Sequence, residues 1–257
     1  MKIQIKQSPI RLIIIDVDQT LAIPKDEMFY VSFSLAVDRA TARYFGVTKV
    51  EGEHLANEYR SLYGNGESVF FIGPTKVHRS SYGIKEKKPS ILYEEMCAIN
   101  PTGCFHRRKK VRQLIQSLRS NGVIVVALTD APEKLSHKIL KEIGMQVNDF
   151  DAYIAFEKDG IAPKYQRDGA VFNYIAHRFH IPNANVICIG DSSEADVLPA
   201  LKMGMQGCII SPNKNAEGRC LCYSSAEKIL QDLFLSQKQS EKTMTYPYSF
   251  SRTLKKK

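Results

Sequence analysis

The chain predicts an open α/β fold, a parallel sheet covered by helices on both faces. Runs at 11–17 (RLIIIDV), 123–129 (VIVVALT), 152–156 (AYIAF), 185–190 (NVICIG) and 206–211 (QGCIIS) are short and rich in Ile and Val. They are apolar throughout rather than alternating, as strands buried on both faces are. Between them, apolar residues recur at helical spacing over 107–120 (Val111, Leu114, Ile115, Leu118), 133–144 (Leu135, Ile139, Leu140, Ile143) and 169–180 (Val171, Phe172, Ile175, Phe179). Gly122 and Gly144 stand where helix C-caps belong. Strand and helix in repetition give an α/β sheet.

Taken in order, the first strand is followed by about 85 residues before helix 107–120, too many for a loop in a compact domain. Helix-like patterns at 28–45, 51–63 and 90–100, around a Gly-rich turn region at 64–74, make this interval a helical insertion. The expected division is a core of 1–21 and 107–235, an inserted helical domain at 22–106, and a flexible basic tail at 236–257, where the apolar pattern stops.

Composition narrows the setting. With 44% apolar and 25% charged residues the chain has the balance of a soluble globular protein. No apolar run approaches the about 20 residues that cross a bilayer. The first apolar run ends in carboxylates, unlike a Sec signal. Six cysteines without a CxxC pair indicate reduced thiols and a cytoplasmic location, although the tail leaves room for a secretion signal read from the C-terminus. Five of the nine net positive charges fall in residues 236–257. The basic run at 106–112 is the solvated side of a helix, without interleaved aromatics. These charges suit an acidic partner or surface rather than a specific nucleic acid.

The chemistry lies at the strand ends. Asp16 and Asp18 sit at the mouth of an apolar strand, where paired carboxylates are costly unless something positive meets them. Ligands in open α/β sheets bind at the carboxyl ends of strands. Those ends read Asp16-Val-Asp18-Gln-Thr20, then Thr129-Asp130, then Lys164, then Gly190-Asp191-Ser-Ser-Glu-Ala-Asp196. A divalent cation resolves the repulsion, and hard oxygen ligands select Mg²⁺. Beside Mg²⁺, a lysine and a threonine hydroxyl are what the oxygens of a phosphoryl group require. The partner is therefore a small phosphorylated substrate or a phosphoprotein.

DxDxT ending the first strand, a threonine ending the second, a lysine 26 residues before Gly190, and GDxxxxD resemble the motifs of the haloacid dehalogenase (HAD) superfamily. The likeness spans roughly 11–212. It implies a Rossmann-like parallel sheet core with an inserted α-helical cap, here at the position of that superfamily's C1 cap. Asp18 is the mark of its phosphatases. The resemblance implies Asp16 as nucleophile, forming an aspartyl-phosphate, and Asp18 as general acid and base. It implies Thr129 and Lys164 on the transferring oxygens. The metal ligands it implies are Asp16, the Asp18 carbonyl and Asp191, with Asp196 either a further ligand or a support to the others. Asp130 stands where asparagine is more common and is read as a substrate contact. Pro163-Lys164 inverts the usual Lys-Pro order, and Lys158 is a rival lysine. In the cap, Tyr59-Arg60-x-x-Tyr63-Gly64 is similar to a segment of pyrimidine-nucleotidase-like members.

Simpler readings stand beside these. Asp16 and Asp18 alone fit a turn or helix cap, Asp196 a cap of the following helix, and Lys164 a solvated loop. His177 and His180 lack a third ligand, and Cys220-x-Cys222 reads as packing. The expected activity is a Mg²⁺-dependent phosphatase acting on a small metabolite such as a nucleoside monophosphate. Its rivals are a phosphotyrosine protein phosphatase and, from another class, a phospho-receiver without turnover. Receivers place their acid pair before the acceptor in the chain, whereas here the fourth motif comes last.

Overall fold

The structure, a computed structural model, describes residues 9–63, 89–156, 164, 170–211 and 220–244. Six strands form one sheet: β1 (Leu12–Ile15), β2 (Ile124–Pro132), β3 (Ala152–Phe156), β4 (Val186–Gly190), β5 (Gln206–Ile210) and β6 (Leu221–Tyr223). They lie in the order β3-β2-β1-β4-β5-β6, and every pair is parallel. This is the strand order of doubly wound, Rossmann-like sheets.

β1 holds the centre because its four residues are buried on both faces. Leu12 and Ile14 join a cluster with Phe172, Ile175 and Ala200, whereas Ile13 and Ile15 join one with Val111, Ile115, Leu135 and Ile139. The continuous apolar run is thus two alternating sets facing two helical layers. Helices α1 (Met28–Phe45), α2 (Lys49–Tyr63) and α3 (Pro89–Cys97) fall within the long interval. The core helices are α4 (Lys109–Ser120), α5 (Glu133–Glu142), α6 (Ala170–Arg178), α7 (Leu198–Lys202) and α8 (Ala226–Met244). Gly122 and Gly144 adopt φ of 76° and 79°, and Val123 and Met145 donate back to the Leu118 and Leu140 carbonyls. These are the left-handed caps expected of them.

Within the interval, α1 packs on α2 and α3. At Gly52 an added Cβ would stand 2.5 Å from the Ala42 Cβ, so glycine permits the close approach of α2 to α1. Arg39 and Arg43 reach Glu95 at 2.8 and 2.7 Å. The chain enters and leaves this unit side by side: Pro24 pairs with Phe105 in an isolated antiparallel bridge, and Lys25 N donates to the Cys104 carbonyl at 2.8 Å. The Gly-rich region at 64–74, Lys158 and the Tyr59-Arg60-x-x-Tyr63-Gly64 side chains lie outside the described residues.

Two elements differ from the sequence reading. β6, three half-buried residues, was not anticipated, being too short to carry a pattern. Cys220 and Cys222 are half-buried at this edge strand, and His177 and His180 are exposed. The tail expected to be flexible from residue 236 begins inside α8, which runs to Met244. Ile229, Leu230 and Leu233 carry the buried face. Gln, Lys and Glu then extend the helix by propensity without an apolar stripe, so the pattern ended with burial and not with the helix. Gln237 Nε2 donates to the Ile10 carbonyl at 2.6 Å. Residues 245–257 lie outside the described residues.

Leu233 is buried in the cluster that holds Ile115 and Leu118, so Leu233→Ala should cost about 2–5 kcal/mol in urea unfolding. Gln237→Ala should cost about 1 kcal/mol through its lost hydrogen bond. A Gln237→Ala protein as stable as wild type would show that the end of α8 contributes nothing to the core.

Candidate active site

β1 and β4 are adjacent strands whose connections leave in opposite directions across the sheet, and the crevice at their carboxyl ends is the topological switch point. Asp16 follows β1 and Asp191 follows β4, with Asp16 N donating to the Ile189 carbonyl at 2.9 Å. After Asp16 the chain turns back on itself. Leu21 N and Ala22 N both donate to the Val17 carbonyl, and Gln19 takes φ of 56°, a left-handed conformation that costs a non-glycine residue about 1–2 kcal/mol. This tight turn keeps Asp18 and Thr20 beside Asp16 instead of letting them run on as strand.

The acids come together as the spacing implied. Carboxylate oxygens of Asp16, Asp191 and Asp196 lie within 4.8 Å of one another. Thr20 Oγ1 is 3.5 Å from Asp191 Oδ1. Asp196 stands in a short π-helical turn, Ser193–Val197, and its Oδ2 accepts from Ser192 N at 3.0 Å. Gly190 is required here by space: a Cβ would stand 2.1 Å from Asp196 Oδ2. The glycine of the GD pair is what lets the second acid of its motif fold back against the strand end.

Lys164 is the counter-charge. Its ammonium pairs with Asp16 Oδ1 and lies 2.7 Å from Asp196 Oδ1. It is only 7% exposed and shares an enclosed space with Ile14, Leu128, Phe172 and Cys188. Burial alone would neutralise the lysine, but Asp16, Asp196 and Asp130 outweigh it and raise its pKa well above the ordinary value. Lys164 is therefore buried and not a solvated loop residue.

Asp18 and Asp130 have different company. Thr129 Oγ1 donates to Asp18 Oδ2 at 3.0 Å and accepts from Ala131 N at 3.0 Å. Asp130 Oδ1 accepts from Lys164 N at 2.9 Å. Thr129 and Asp130 therefore each hold another site residue, a contact that spacing alone did not reveal. Burial raises the Asp18 pKa against the Thr129 bond, and raises Asp16 well above its usual range against the pull of Lys164. Burial pushes Asp130 and Asp191 each to about 6, with Asp196 adding to the rise at Asp191.

Tyr30, in the first turn of α1, was not singled out in the sequence, because its spacing does not set it apart from the apolar face of Phe29, Phe33 and Val37. Its phenol is pushed up to about 12 by burial and by the charges of Asp191 and Asp18. It is 39% exposed, so part of its ring remains open to solvent.

The haloacid dehalogenase-like hydrolase family matches residues 10–204. The chain belongs to this family. It is therefore a hydrolase, an enzyme with the HAD fold. No curated protein matches the chain significantly. Among solved structures it resembles a HAD phosphatase from Thermococcus onnurineus, with 16% identity, TM-score 0.54, and coverage of 87% of this chain and 98% of the other. A predicted phosphoglycolate phosphatase from Haemophilus somnus 129PT gives 16% identity, TM-score 0.53, and coverage of 88% and 99%. The HAD-hydrolase YfnB from Bacillus subtilis, a structure bound to magnesium, gives 16%, 0.50, and 88% and 99%. No described helix of this HAD protein is long and apolar enough to cross a membrane.

The raised carboxyl pKa values have a consequence for stability. A native carboxyl at about 6 binds its proton more tightly than an unfolded one at about 4, so its contribution is full below about 4 and is lost as pH rises through about 6. In chelator, Asp191→Asn removes this loss and should raise the melting temperature at pH 7.5 by roughly 3–6 °C. At pH 4 the variant and wild type should melt together. A lower melting temperature for the variant at pH 7.5 would contradict the reading of a mutually repelling cluster.

Proposed function

We propose that this HAD hydrolase is a Mg²⁺-dependent phosphomonoesterase working through an aspartyl-phosphate on Asp16. The observation that carries the proposal is the pair at the end of β1: Asp16 held by the Lys164 ammonium, and Asp18 two residues on, its Oδ2 accepting from the Thr129 hydroxyl. The first has its charge met by a lysine, as a nucleophilic carboxylate requires, and the second stands two residues away on a hydroxyl, where it can pass a proton to and from the reacting oxygens.

The three-carboxylate cluster fits a hard divalent ion, which Asp16, Asp191, Asp196 and the Asp18 carbonyl would hold. When bound, the ion neutralises the acids and the charge of a phosphoryl group. The residues perform the rest. An Asp16 carboxylate oxygen attacks phosphorus, forming the acyl-phosphate bond as the ester P–O bond breaks. Asp18 delivers its proton to the leaving alkoxide. Water then attacks the phosphorus, Asp18 takes the water's proton, and Asp16 is released with inorganic phosphate. Lys164 balances Asp16 and holds an oxygen of the transferring group, and Thr129 orients Asp18.

Helices α1 to α3 act as a C1-type cap, hinged where Pro24 meets Phe105. Closure of such a cap over the strand ends favours compact substrates. Tyr30 supplies a flat face and a hydroxyl for the leaving group, which suits a nucleoside monophosphate and a pyrimidine-nucleotidase-like member of the family. The six free cysteines suit a reducing, cytoplasmic setting.

Asp16→Asn should abolish turnover of a phosphomonoester while the protein stays folded, and chelation should stop wild-type turnover until Mg²⁺ is restored. Wild-type rates from a folded Asp16→Asn protein, or full activity in chelator, would overturn the mechanism. For the substrate class, kcat/KM for a mononucleotide should exceed that for a phosphotyrosine peptide. A tenfold preference for the peptide, about 1.4 kcal/mol of transition-state binding, would replace the metabolite reading with the protein-phosphatase one.

A further inference from the structure

We propose that Asp130 is a positioning residue for Lys164: its carboxylate holds the Lys164 main-chain N–H and so sets where the ammonium lies between Asp16 and Asp196. The proposal rests on the phosphatase reading above for its kinetic consequences and on the geometry alone for its structural ones.

The two residues are 34 positions apart and meet at 2.9 Å, Lys164 N to Asp130 Oδ1. Asp130 is 8% exposed and Lys164 7%, so the bond is out of water on both sides. There it is worth more than a surface contact, and losing it would leave a buried N–H without a partner. Lys164 stands in a 3₁₀ turn outside the six strands and eight α-helices described, and its main-chain N–H is taken by the side chain of a residue from a different element. Asp130 can fix it because it belongs to β2, whose ladder to β3 shifts register between Leu128 and Pro132. That irregular strand end presents Thr129 to Asp18 and Asp130 to Lys164 from consecutive positions. One short stretch of β2 thus orients both the acid and the counter-charge of the nucleophile.

The geometry also weighs against Asp130 as a substrate contact. A carboxylate this enclosed, engaged by a backbone donor, offers little surface to a leaving group. Its burial, which pushes it to about 6, is a cost more consistent with a carboxylate that serves a fixed partner. An acceptor oxygen, not a negative charge, is what the bond requires. Asparagine supplies one, and alanine does not.

The test uses the full chain with Mg²⁺ and p-nitrophenyl phosphate, and circular dichroism to establish that each variant is folded. Asp130→Ala should lower kcat by roughly 10- to 100-fold, with KM changed less, because a displaced ammonium is felt at the transition state. Asp130→Asn should recover most of that loss. In a Lys164→Ala background, Asp130→Ala should change kcat/KM by less than about twofold, since the residue it positions is gone. A merely structural carboxylate would show independent, multiplicative effects in that cycle, and that result would overturn the proposal. So would an Asp130→Asn protein whose gain is confined to substrates carrying a second anionic group, the mark of a substrate contact.

A second measurement needs no turnover. Labelling of Lys164 by an amine-reactive reagent, read by mass spectrometry in metal-free protein, should quicken at least about fivefold in Asp130→Ala and stay near wild type in Asp130→Asn. Unchanged labelling in a folded Asp130→Ala protein overturns the positioning role whatever the kinetics. Wild-type protein that turns over no phosphomonoester, with labelling that follows the expected order, overturns the phosphatase reading and leaves the positioning intact.

Discussion

One buried ammonium organises the site. Lys164 stands between Asp16 and Asp196 among Ile14, Leu128 and Phe172. Neither the lysine nor the two acids would be tolerable there alone, since an unpaired buried charge costs several kcal/mol. Together they form a chain of opposite charges through the crevice, and each partner depends on a different segment. Asp16 depends on the end of β1 and Asp196 on the π-helical turn after β4, while Lys164 comes from a segment beyond β3. The sheet must therefore be complete before the charges balance. Removing one member leaves the others uncompensated, which ties the electrostatics of the site to the integrity of the fold.

The balance is incomplete in the protein's own residues. Asp16, Asp18, Asp130 and Asp191 all keep carboxyl pKa values above the ordinary range, because burial and mutual repulsion exceed what one lysine offsets. Such a cluster is poised for a further cation. It also spends stability on readiness, as functional sites commonly do. The close fit at Gly190 shows how little slack the arrangement has. The strand end carries no side chain so that a carboxylate can occupy that volume.

Much of this was legible in the residues. β1 to β5 announced themselves because strands buried on both faces must be apolar without interruption, and the acids at their ends stood out against those runs. Asp16, Asp191 and Asp196 meet because the ends of β1 and β4 are neighbours at the switch point, which the strand order implies, and Lys164 reaches them from the segment after β3. The partners of Thr129 and Asp130 were not legible. They depend on an irregular strand end and on bonds spanning 111 and 34 residues, and no periodicity encodes those. β6 was too short to show a pattern, and α8 outran its own apolar stripe. Tyr30 was hidden for a third reason: an aromatic on an amphipathic helix looks the same whether it faces a core or a site.

The central position of β1 sets the order of synthesis against the order of assembly. Its four residues leave the ribosome before both of its partner strands, since Leu12 pairs with Ile124 on one side and Val186 on the other. A fully apolar strand must wait more than 100 residues for its first neighbour, β2, and about 60 more for its second, β4. Contacts so distant in sequence form slowly, because loop closure comes before any of their gain. The segment made during the wait is helical, and α1, α2 and α3 meet one another through nearer contacts. These helices can thus become compact while the strand that leads into Asp16 still has no neighbour. During that interval the apolar strand is an exposed edge of the kind that invites misassembly.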